Sequence, residues 1–368
     1  MQLGRLAKYL FCLVIYYSGV FFLVRAIRRA RGRRRIVILA YHSFSDHIRY
    51  LDMAISPSLF RQQVRYLCKA FKVLTLSDLL ATHHSSTGLP GDMAVITVDD
   101  GYADNFQPLM EAIEKFNAPA TVFLTTDCID TGCPTTVMWT MLAIHHAAVD
   151  AIALPELAID LVSIRTLPEK EAAIKRINAA LKPLSARQRD AIIDRLLERS
   201  GAASQVRELS RSSMLSWEQV RRMHKAGVEF GGHTLTHPVL SWLEPIAVRK
   251  EIDGSIQRIR EMTGTRAVTF AYPYGGDTAV SESVVEICRN SDACAAVLLT
   301  EGEMPGSDPF KIPRMLIVGD RATPPWGSFS RAMWACELEG LVAFAWKLVM
   351  PIRHYCLRFH SRLAKHPA

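Results

Sequence analysis

Two short motifs place acidic and imidazole side chains where they could do chemistry. The first, TVDDG at residues 97–101, puts Asp99 and Asp100 at the end of an apolar, strand-like run, which is where α/β folds keep functional groups. Adjacent side chains of an extended strand point to opposite sides, so one aspartate can ligate a metal while the other faces the reacting centre. By itself, the DDG sequence also suits an ordinary turn.

The second motif, GGHTLTHP at residues 231–238, carries His233 and His237 four residues apart. A helical turn or a tight loop brings both imidazoles to one metal ion, although an isolated pair at this spacing can also be purely structural. The two preceding glycines allow close backbone approach. Together with Asp100, the histidines form a mixed oxygen and nitrogen set that suits Zn²⁺ and could also take Co²⁺, Ni²⁺ or Fe²⁺.

A third motif, FAYPYGG at residues 270–276, could contact a ligand through aromatic side chains. Tyr272, Pro273 and Tyr274 are expected to form a rigid turn against which a sugar ring can stack. The motif is uninformative alone, so these three residues are substrate-binding candidates only in combination with the other two motifs.

Strand-like and helical segments alternate around the three motifs. Apolar β-type runs lie at Ile36–Tyr41, Met93–Val98 and residues 119–126, 228–232 and 267–272. This alternation predicts an α/β fold with a parallel sheet or barrel. Residues from about 149 to 210 have helical periodicity and no strand candidate, which predicts a helical insertion at the rim.

The N-terminal region combines an apolar run with a basic cluster. Residues 9–24 carry no charge, and with the residues from Leu6 onward they reach the ~20 residues that a bilayer crossing requires. Seven arginines follow between Arg25 and Arg35, where a signal peptide would need a small-residue cleavage site. We predict a single-pass N-terminal membrane helix in a bacterial-type inner membrane, with an interfacial or buried helix as the alternative. The positive-inside rule favours a cytoplasmic catalytic domain over a periplasmic one.

Charge and composition limit the partners. The 368-residue chain has a formal charge of +8, but it is close to neutral without the arginine cluster. We therefore expect no nucleic-acid partner. Membrane lipid is an expected partner, and the sequence does not allow a protein partner to be inferred. Three regions are predicted: an anchor with its basic flank at 1–35, an α/β domain at 36–325, and an amphipathic or basic helical tail at 326–368. The tail could lie on an anionic membrane surface or pack on the domain.

In this order and spacing, the three motifs resemble the polysaccharide deacetylases of carbohydrate esterase family 4, over roughly residues 36–319. The resemblance implies a distorted (β/α) barrel, Asp99 as the catalytic base, and Asp100, His233 and His237 as metal ligands. Two features depart from the family pattern. The third motif usually reads R-x-P-Y, with an arginine that orients the base, whereas residues 270–274 read FAYPY. The last motif carries the general-acid histidine in Leu-x-His, whereas residues 295–303 contain no histidine.

One branch, the poly-N-acetylglucosamine deacetylases, carries the acid histidine at the start of the domain, and AYHSF at residues 40–44 is similar to that segment. His42 is therefore the candidate general acid, although a histidine at a strand end can also be structural. Trp139 and Arg314 are further candidates for the substrate groove.

The resemblance implies a hydrolase of carbon–nitrogen bonds other than peptide bonds. Its substrate would be an N-acetylated sugar in a polysaccharide or a lipid-linked glycan. One alternative is an O-deacetylase on the same fold. The other is a catalytically weak carbohydrate-binding or scaffold protein, which the missing arginine supports.

Overall fold

The structure, a computed structural model, describes residues 2–46, 53–83, 91–276, 278–300, 302, 308–319 and 321–346. The chain divides into two compact units. The larger unit is Ile36–Val318, and the smaller combines Met1–Arg35 with Gly319–Ala368. All three sequence motifs and His42 lie in the larger unit.

Strands and helices alternate along the larger unit, as predicted. The strands are β1 (Ile36–Tyr41), β2 (Lys72–Leu74), β3 (Met93–Val98), β4 (Thr121–Leu124), β5 (Ala151–Leu154), β6 (Ile159–Ser163), β7 (Glu229–Gly232), β8 (Val268–Ala271), β9 (Ala293–Val297) and β10 (Met315–Leu316). The α-helices of the described chain are α1 (Gln2–Tyr17), α2 (Val20–Ala30), α3 (Pro57–Ala70), α4 (Leu76–His83), α5 (Phe106–Phe116), α6 (Thr126–Thr131), α7 (Thr136–His145), α8 (Leu167–Leu181), α9 (Ala186–Ser200), α10 (Ala203–Ser210), α11 (Trp217–Lys225), α12 (Pro245–Thr263), α13 (Glu282–Arg289) and α14 (Arg331–Leu338).

The main sheet is parallel and curled. Its strand order is β10-β1-β3-β4-β7-β8-β9, and β2 also pairs with β3. Every residue of β3 is buried, which explains why this strand is a continuous apolar run rather than an alternating one. Because all these strands are parallel, their carboxyl ends meet at one edge, and the chemistry-bearing motifs follow β1, β3, β7 and β8 at that edge.

Residues 312–316 connect the two sides of the curled sheet. The Ile312 carbonyl accepts from the Leu298 N–H at 2.8 Å, just after β9. A few residues later, Met315 and Leu316 pair with β1. This segment therefore brings the outer strands together, and the predicted distorted (β/α) barrel is confirmed as a curled parallel sheet flanked by helices.

The predicted insertion at 149–210 is largely helical, but the expectation that it contains no strand is wrong. β5 and β6 form an antiparallel hairpin around a short turn that begins at Pro155. Each of these strands has only four or five residues, and they are followed by long segments of helical periodicity, so neither strand was distinct in the sequence. Tertiary packing decides the outcome, because Ile152, Leu154 and Ile159 are buried.

The predicted single membrane helix over residues 9–24 is interrupted in the smaller unit. α1 ends at Tyr17 and α2 begins at Val20, because Gly19 adopts a left-handed conformation with φ of 88°. Among the described helices, none is by itself long and apolar enough to cross a membrane. The pair Gly4–Tyr17 and Val20–Ala30 meets the length and composition criteria together, but is bent by 65°.

Within the smaller unit, the two N-terminal helices form ion pairs with α14 and the residue that follows it. The Lys8 ammonium lies 2.5 Å from the Glu337 carboxylate, and the Arg28 guanidinium lies 2.5 Å from Glu339. In the described part of the predicted helical tail, α14 ends at Leu338 and a further helical segment covers residues 341–346. Residues 347–368, most of the predicted tail, lie outside the described residues.

Candidate active site

Asp99 and Asp100 directly follow β3. The Asp99 N–H donates to the Tyr41 carbonyl at 3.0 Å, which continues the pairing with β1. Asp100 instead has a positive φ of 72°. The two carboxylates therefore have different partners because of the left-handed backbone at Asp100, and not because of the alternation of an extended strand on which the prediction rested.

Uncommon backbone conformations concentrate around these residues. Six non-glycine residues of the described chain have a positive φ, and four of them lie in the predicted motifs: Asp100, Thr234, His237 and Tyr274. Such conformations cost of order 1–3 kcal/mol each and persist where the surrounding structure enforces them, often at functional sites.

His233 and His237 lie on a loop after β7 that is held by a carboxylate of α12. Glu251 accepts the N–H groups of the two residues that follow Thr234, both at 2.9 Å. The Thr234 hydroxyl in turn accepts the His237 N–H at 2.9 Å. These bonds fix the loop so that both imidazoles face Asp100.

The glycines before His233 are required by packing. A Cβ at Gly231 would lie 2.6 Å from the Thr269 carbonyl, and one at Gly232 would lie 2.7 Å from the Ser255 hydroxyl. The close backbone approach predicted for this pair is therefore present, and it sets His233 against the neighbouring strand β8.

Asp100, His233 and His237 form a group that can hold a metal ion. Asp100 Oδ1 lies 3.4 Å from His233 Nε2 and 3.2 Å from His237 Nε2, and the three ligand atoms are all within 4.8 Å of one another. Asp100 Oδ1 is buried without a hydrogen-bond partner. His233 Nδ1 lies 2.7 Å from the Ala271 carbonyl, so Nδ1 must donate and the Nε2 lone pair is left to ligate. The residues present thus fit a divalent metal.

Electrostatics keep Asp100 ionised in this group. Burial by itself raises the pKa of Asp100, but its interactions with the neighbouring His237 and His233 side chains outweigh this and hold the pKa well below its ordinary value. Burial lowers the pKa of His233, and its contacts with Asp100 and Asp99 more than offset this, so the net pKa is raised. Asp100 is therefore an anion at neutral pH, as a metal ligand must be.

Arg314 binds the other aspartate. Its two terminal nitrogens lie 2.7 Å from Asp99 Oδ1 and 2.7 Å from Oδ2, a bidentate pair with a fully buried guanidinium. The same side chain donates to the Leu298 carbonyl and to the Thr97 hydroxyl. Burial raises the pKa of Asp99, but the Arg314 charge and hydrogen bonds outweigh this and lower it overall. The unusual third motif therefore does not leave Asp99 without an arginine.

His42, at the end of β1, lies on the other side of Asp99. Its Nε2 is 3.8 Å from Asp99 Oδ2, and its carbonyl accepts from the Asn105 side chain at 2.8 Å. The Nδ1 atom is buried with no hydrogen-bond partner. Burial lowers the pKa of His42, and the carboxylates of Asp99 and Asp100 only partly oppose this.

These groups open onto a cavity of 330 Å³, within the range of about 300–1,000 Å³ typical of small-ligand sites. Its floor carries the acidic and imidazole side chains, and its walls are largely apolar: Met53, Val137, Met138, Met141 and Leu299. The insertion and the helix before it thus contribute to the walls.

The aromatic candidates differ in their surroundings. Tyr272 lines the cavity, but its hydroxyl donates to the Phe310 carbonyl at 3.1 Å. Tyr274 packs against the His237 imidazole with ring centroids 4.9 Å apart. Pro273 and Trp139 are not among the described residues that line the cavity. A substrate role for Tyr272, Pro273 and Tyr274 stays a prediction.

The family model of polysaccharide deacetylases matches residues 87–291, more than half of the chain. The chain belongs to the polysaccharide deacetylase family. Its fold is similar to that of the Streptococcus pyogenes deacetylase PplD in complex with acetate (TM-score 0.52, 17% identity, covering 79% of this chain and 95% of that one). It is also similar to IcaB from Ammonifex degensii (TM-score 0.52, 18% identity, covering 82% and 97%). No curated protein sequence gives a significant match.

In this polysaccharide deacetylase family member, two side chains that hold the candidate site together were not recognised as such from the sequence. Arg314 was only a groove candidate, although a lone arginine within the apolar run IPRMLIV at 312–318 is a signal for a buried, paired charge. Glu251 carries no such signal, because an acidic residue in an amphipathic helix normally faces solvent. His42 and Arg314 both lie outside the matched residues 87–291.

Proposed function

We propose that the chain is a metal-dependent hydrolase that removes acetyl groups from an N-acetylated sugar in a polysaccharide or a lipid-linked glycan. The observation that carries the proposal is the convergence of two groups on one cavity. One is the Asp100, His233 and His237 set, and the other is Asp99 between Arg314 and His42. Family membership supports deacetylation, and the mixed ligand set favours Zn²⁺, with Co²⁺, Ni²⁺ or Fe²⁺ as alternatives.

When bound, the metal would act as a Lewis acid on the acetyl carbonyl and lower the pKa of a coordinated water from ~15.7 towards ~7. Asp100 supplies the negative charge of the ligand set. The Ala271 carbonyl fixes the tautomer and ring orientation of His233, so its Nε2 lone pair points to Asp100. The Glu251 carboxylate keeps the loop of His237 in the matching position.

Asp99 is suited to the role of general base. Both of its oxygens are bound by Arg314, so the carboxylate is fixed in orientation and ionised at neutral pH. When Asp99 accepts a proton from the attacking water, it loses the favourable interaction between its negative charge and Arg314. The guanidinium therefore positions the base and also sets its basicity.

His42 is suited to the role of general acid. Its Nε2 lies 3.8 Å from Asp99 Oδ2, and this negative charge favours the protonated form against the larger effect of burial. Because burial lowers its pKa, the His42 imidazolium is a stronger acid than a solvated one and transfers its proton more readily to the departing amine. The products are acetate and a free amino sugar.

The first experiment is acetate release from N-acetylglucosamine oligomers by the metal-loaded full chain. His42→Ala is expected to lower kcat by about 10²–10³-fold while metal content stays unchanged, because only the proton donor is lost. His224→Ala is the matched control, since that histidine bonds to the Val228 carbonyl, outside the cavity. Equal activity of His42→Ala and wild type would remove His42 from the mechanism.

The same assay separates the alternatives. An O-acetylated sugar hydrolysed faster than the N-acetylated one would indicate an O-deacetylase. If neither sugar releases acetate although metal is bound, the carbohydrate-binding alternative replaces the enzyme.

We also propose that the smaller unit attaches the protein to an anionic membrane surface. α1 and α2 expose large apolar side chains, including Val14, Phe22 and Leu23, which are 65%, 52% and 59% exposed. The following segment exposes Arg31, Arg33 and Arg34. An apolar face next to several cations suits a bilayer that contains anionic lipid.

The positive-inside rule places the arginines on the cytoplasmic side of a bacterial-type inner membrane, and the catalytic unit with them. A reporter fused after Ala368 tests this orientation against the periplasmic alternative.

Vesicle sedimentation tests the attachment. We expect the full chain to bind vesicles that contain anionic lipid more tightly than purely zwitterionic ones. Phe22→Ser combined with Leu23→Ser should weaken this binding about tenfold or more, because two exposed apolar side chains no longer enter the bilayer. Leu161→Ser is the control, since Leu161 is 73% exposed but lies in β6 of the larger unit. Equal losses in both variants would refute a specific role for α2.

A further inference from the structure

The two flanks of the N-terminal apolar run bind the same end of α14. Lys8, which precedes the run, lies 2.5 Å from the Glu337 carboxylate, and Arg28, which follows it, lies 2.5 Å from the Glu339 carboxylate. Residues 337 and 339 are at most about 7 Å apart along the chain. The charged groups that begin and end the apolar run are therefore held by neighbouring carboxylates.

Two further cations join this group of charges. Arg35 donates to the Leu338 carbonyl at 2.8 Å, and the Arg321 guanidinium lies 3.4 Å from Glu337. The side chains of Glu337 and Glu339 are only 6% and 4% exposed. Because removal of one partner from a buried ion pair is strongly destabilising, these contacts fix both flanks of the run relative to α14.

A membrane span would require a different arrangement of the same residues. A continuous helix from Lys8 to Arg28 would be about 30 Å long, which equals the thickness of the hydrocarbon core, and it would place its charged flanks at opposite surfaces. In the structure the run breaks at Gly19, and the two helices are bent by 65°. Charges are costly within hydrocarbon, so the charged group that holds both flanks belongs at one membrane surface.

Each helix of the bent pair exposes an apolar stripe with helical spacing. The stripe of α1 includes Leu10, Val14 and Tyr17, and that of α2 includes Val20, Leu23 and Ile27. Away from these stripes, Cys12 and Phe21 are almost fully buried. Each helix therefore has one side that packs within the protein and another that suits an apolar environment.

We propose that α1 and α2 enter only one leaflet of a lipid bilayer, with the bend at Gly19, so that the N-terminus and the catalytic unit lie on the same side of the membrane. Interfacial helices reach about 5–10 Å into a bilayer, far less than its full thickness. Lipid is the partner of the two stripes, because exposed arginines at positions 31, 33 and 34 follow α2 and complement anionic headgroups. The inference rests on the proposed membrane attachment and adds that the chain does not cross the membrane.

Protease protection of the full wild-type chain tests this topology. One epitope tag is placed at the N-terminus and another after Ala368, and digestion of each tag is followed in spheroplasts and in inverted inner-membrane vesicles of a bacterial host. We expect both tags to be digested in the same preparation and protected in the other. A reference chain, in which roughly twenty leucine and alanine residues replace residues 9–24, supplies a true span, and its tags should be digested in different preparations.

The outcomes separate the topology from the attachment. Digestion of the two wild-type tags in different preparations would overturn the one-leaflet arrangement and leave the membrane attachment standing. Recovery of the full chain only in the soluble fraction would refute both.

A matched pair of glycine variants tests the bend. Gly19 and Gly32 both have left-handed backbone, with φ of 88° and 71°, and both have open space where a Cβ would lie. Gly19→Leu and Gly32→Leu therefore add the same apolar side chain at a similar backbone strain, but only the first opposes the bend. Binding to protein-free vesicles of phosphatidylglycerol and phosphatidylcholine is measured by sedimentation, and circular dichroism checks the fold of each variant.

We expect Gly19→Leu to bind these vesicles about fivefold or more weakly than Gly32→Leu, because leucine disfavours the left-handed backbone that lets both stripes reach one surface. Equal binding by the two folded variants would overturn the role of the bend. Association of the wild-type chain with cell membranes but not with protein-free vesicles would indicate a protein partner for the stripes and would also overturn the proposal.

Discussion

Asp99→Asn is expected to lower kcat for acetate release by about 10³-fold while metal content stays unchanged. The asparagine has nearly the same shape and can still accept an N–H from Arg314, but it cannot accept a proton from water. The loss should appear mainly in kcat, because the side chain acts on the reaction and not on the bound metal. Steady-state kinetics together with elemental analysis of the purified protein measure both quantities.

Stability must be separated from chemistry in this variant. The Arg314 guanidinium is fully buried, and removing one partner of a buried ion pair costs about 3–5 kcal/mol when the other charge is left uncompensated. We therefore expect a lower Tm for Asp99→Asn, and kcat should be compared at a temperature where both proteins are folded. Arg314→Met provides the complementary variant: it keeps the base but removes its orienting partner. If Asp99→Asn retains kcat within about tenfold of wild type, another group serves as the base.

His237→Ala is expected to reduce both metal content and acetate release, the latter by at least about 10³-fold, because one of three protein ligands and the chemistry of the metal are lost together. Chelation of the wild-type protein should have the same effect on activity, and added Zn²⁺ should restore it only in wild type. Elemental analysis before and after chelation gives the metal content.

His224→Ala again serves as the histidine control and should keep both metal and activity. A His237→Ala protein with full metal content and full activity would show that the group formed by Asp100, His233 and His237 is not the metal centre. Retained metal with lost activity would instead indicate that His237 is needed for a later step than metal binding.

The fold was largely predictable because its strands are buried on both faces. A strand such as β3 is buried along its whole length and apolar except for Thr97, and the chemistry-bearing residues follow such strands directly. The hairpin of β5 and β6 was not predictable, because its strands have only four or five residues and are specified by packing within the insertion. The break at Gly19 was also missed, because the mean hydropathy of an apolar run does not depend on backbone conformation and so does not show that one residue is left-handed.

The site was predictable where local spacing carries the information. His237 is four positions after His233, and Asp99 adjoins Asp100, so each pair is visible within a short window. The partner of Asp99 is different, because Arg314 reaches it only through the pairing of residues 312–316 with β9 and β1. The third motif alone therefore indicated that Asp99 has no arginine partner, whereas in the folded chain Arg314, which lies outside the three motifs, is that partner.

The bond between Arg314 and Asp99 joins residues of the larger unit that are 215 positions apart. During synthesis the three candidate metal ligands emerge well before residue 314, whereas the guanidinium arrives with β10. Contacts between such distant residues form late, after the loop-closure entropy of the intervening chain has been overcome. Until residues 315–316 pair with β1, the Asp99 carboxylate therefore lacks its buried guanidinium partner, so the last described strand of the sheet completes the surroundings of the first motif.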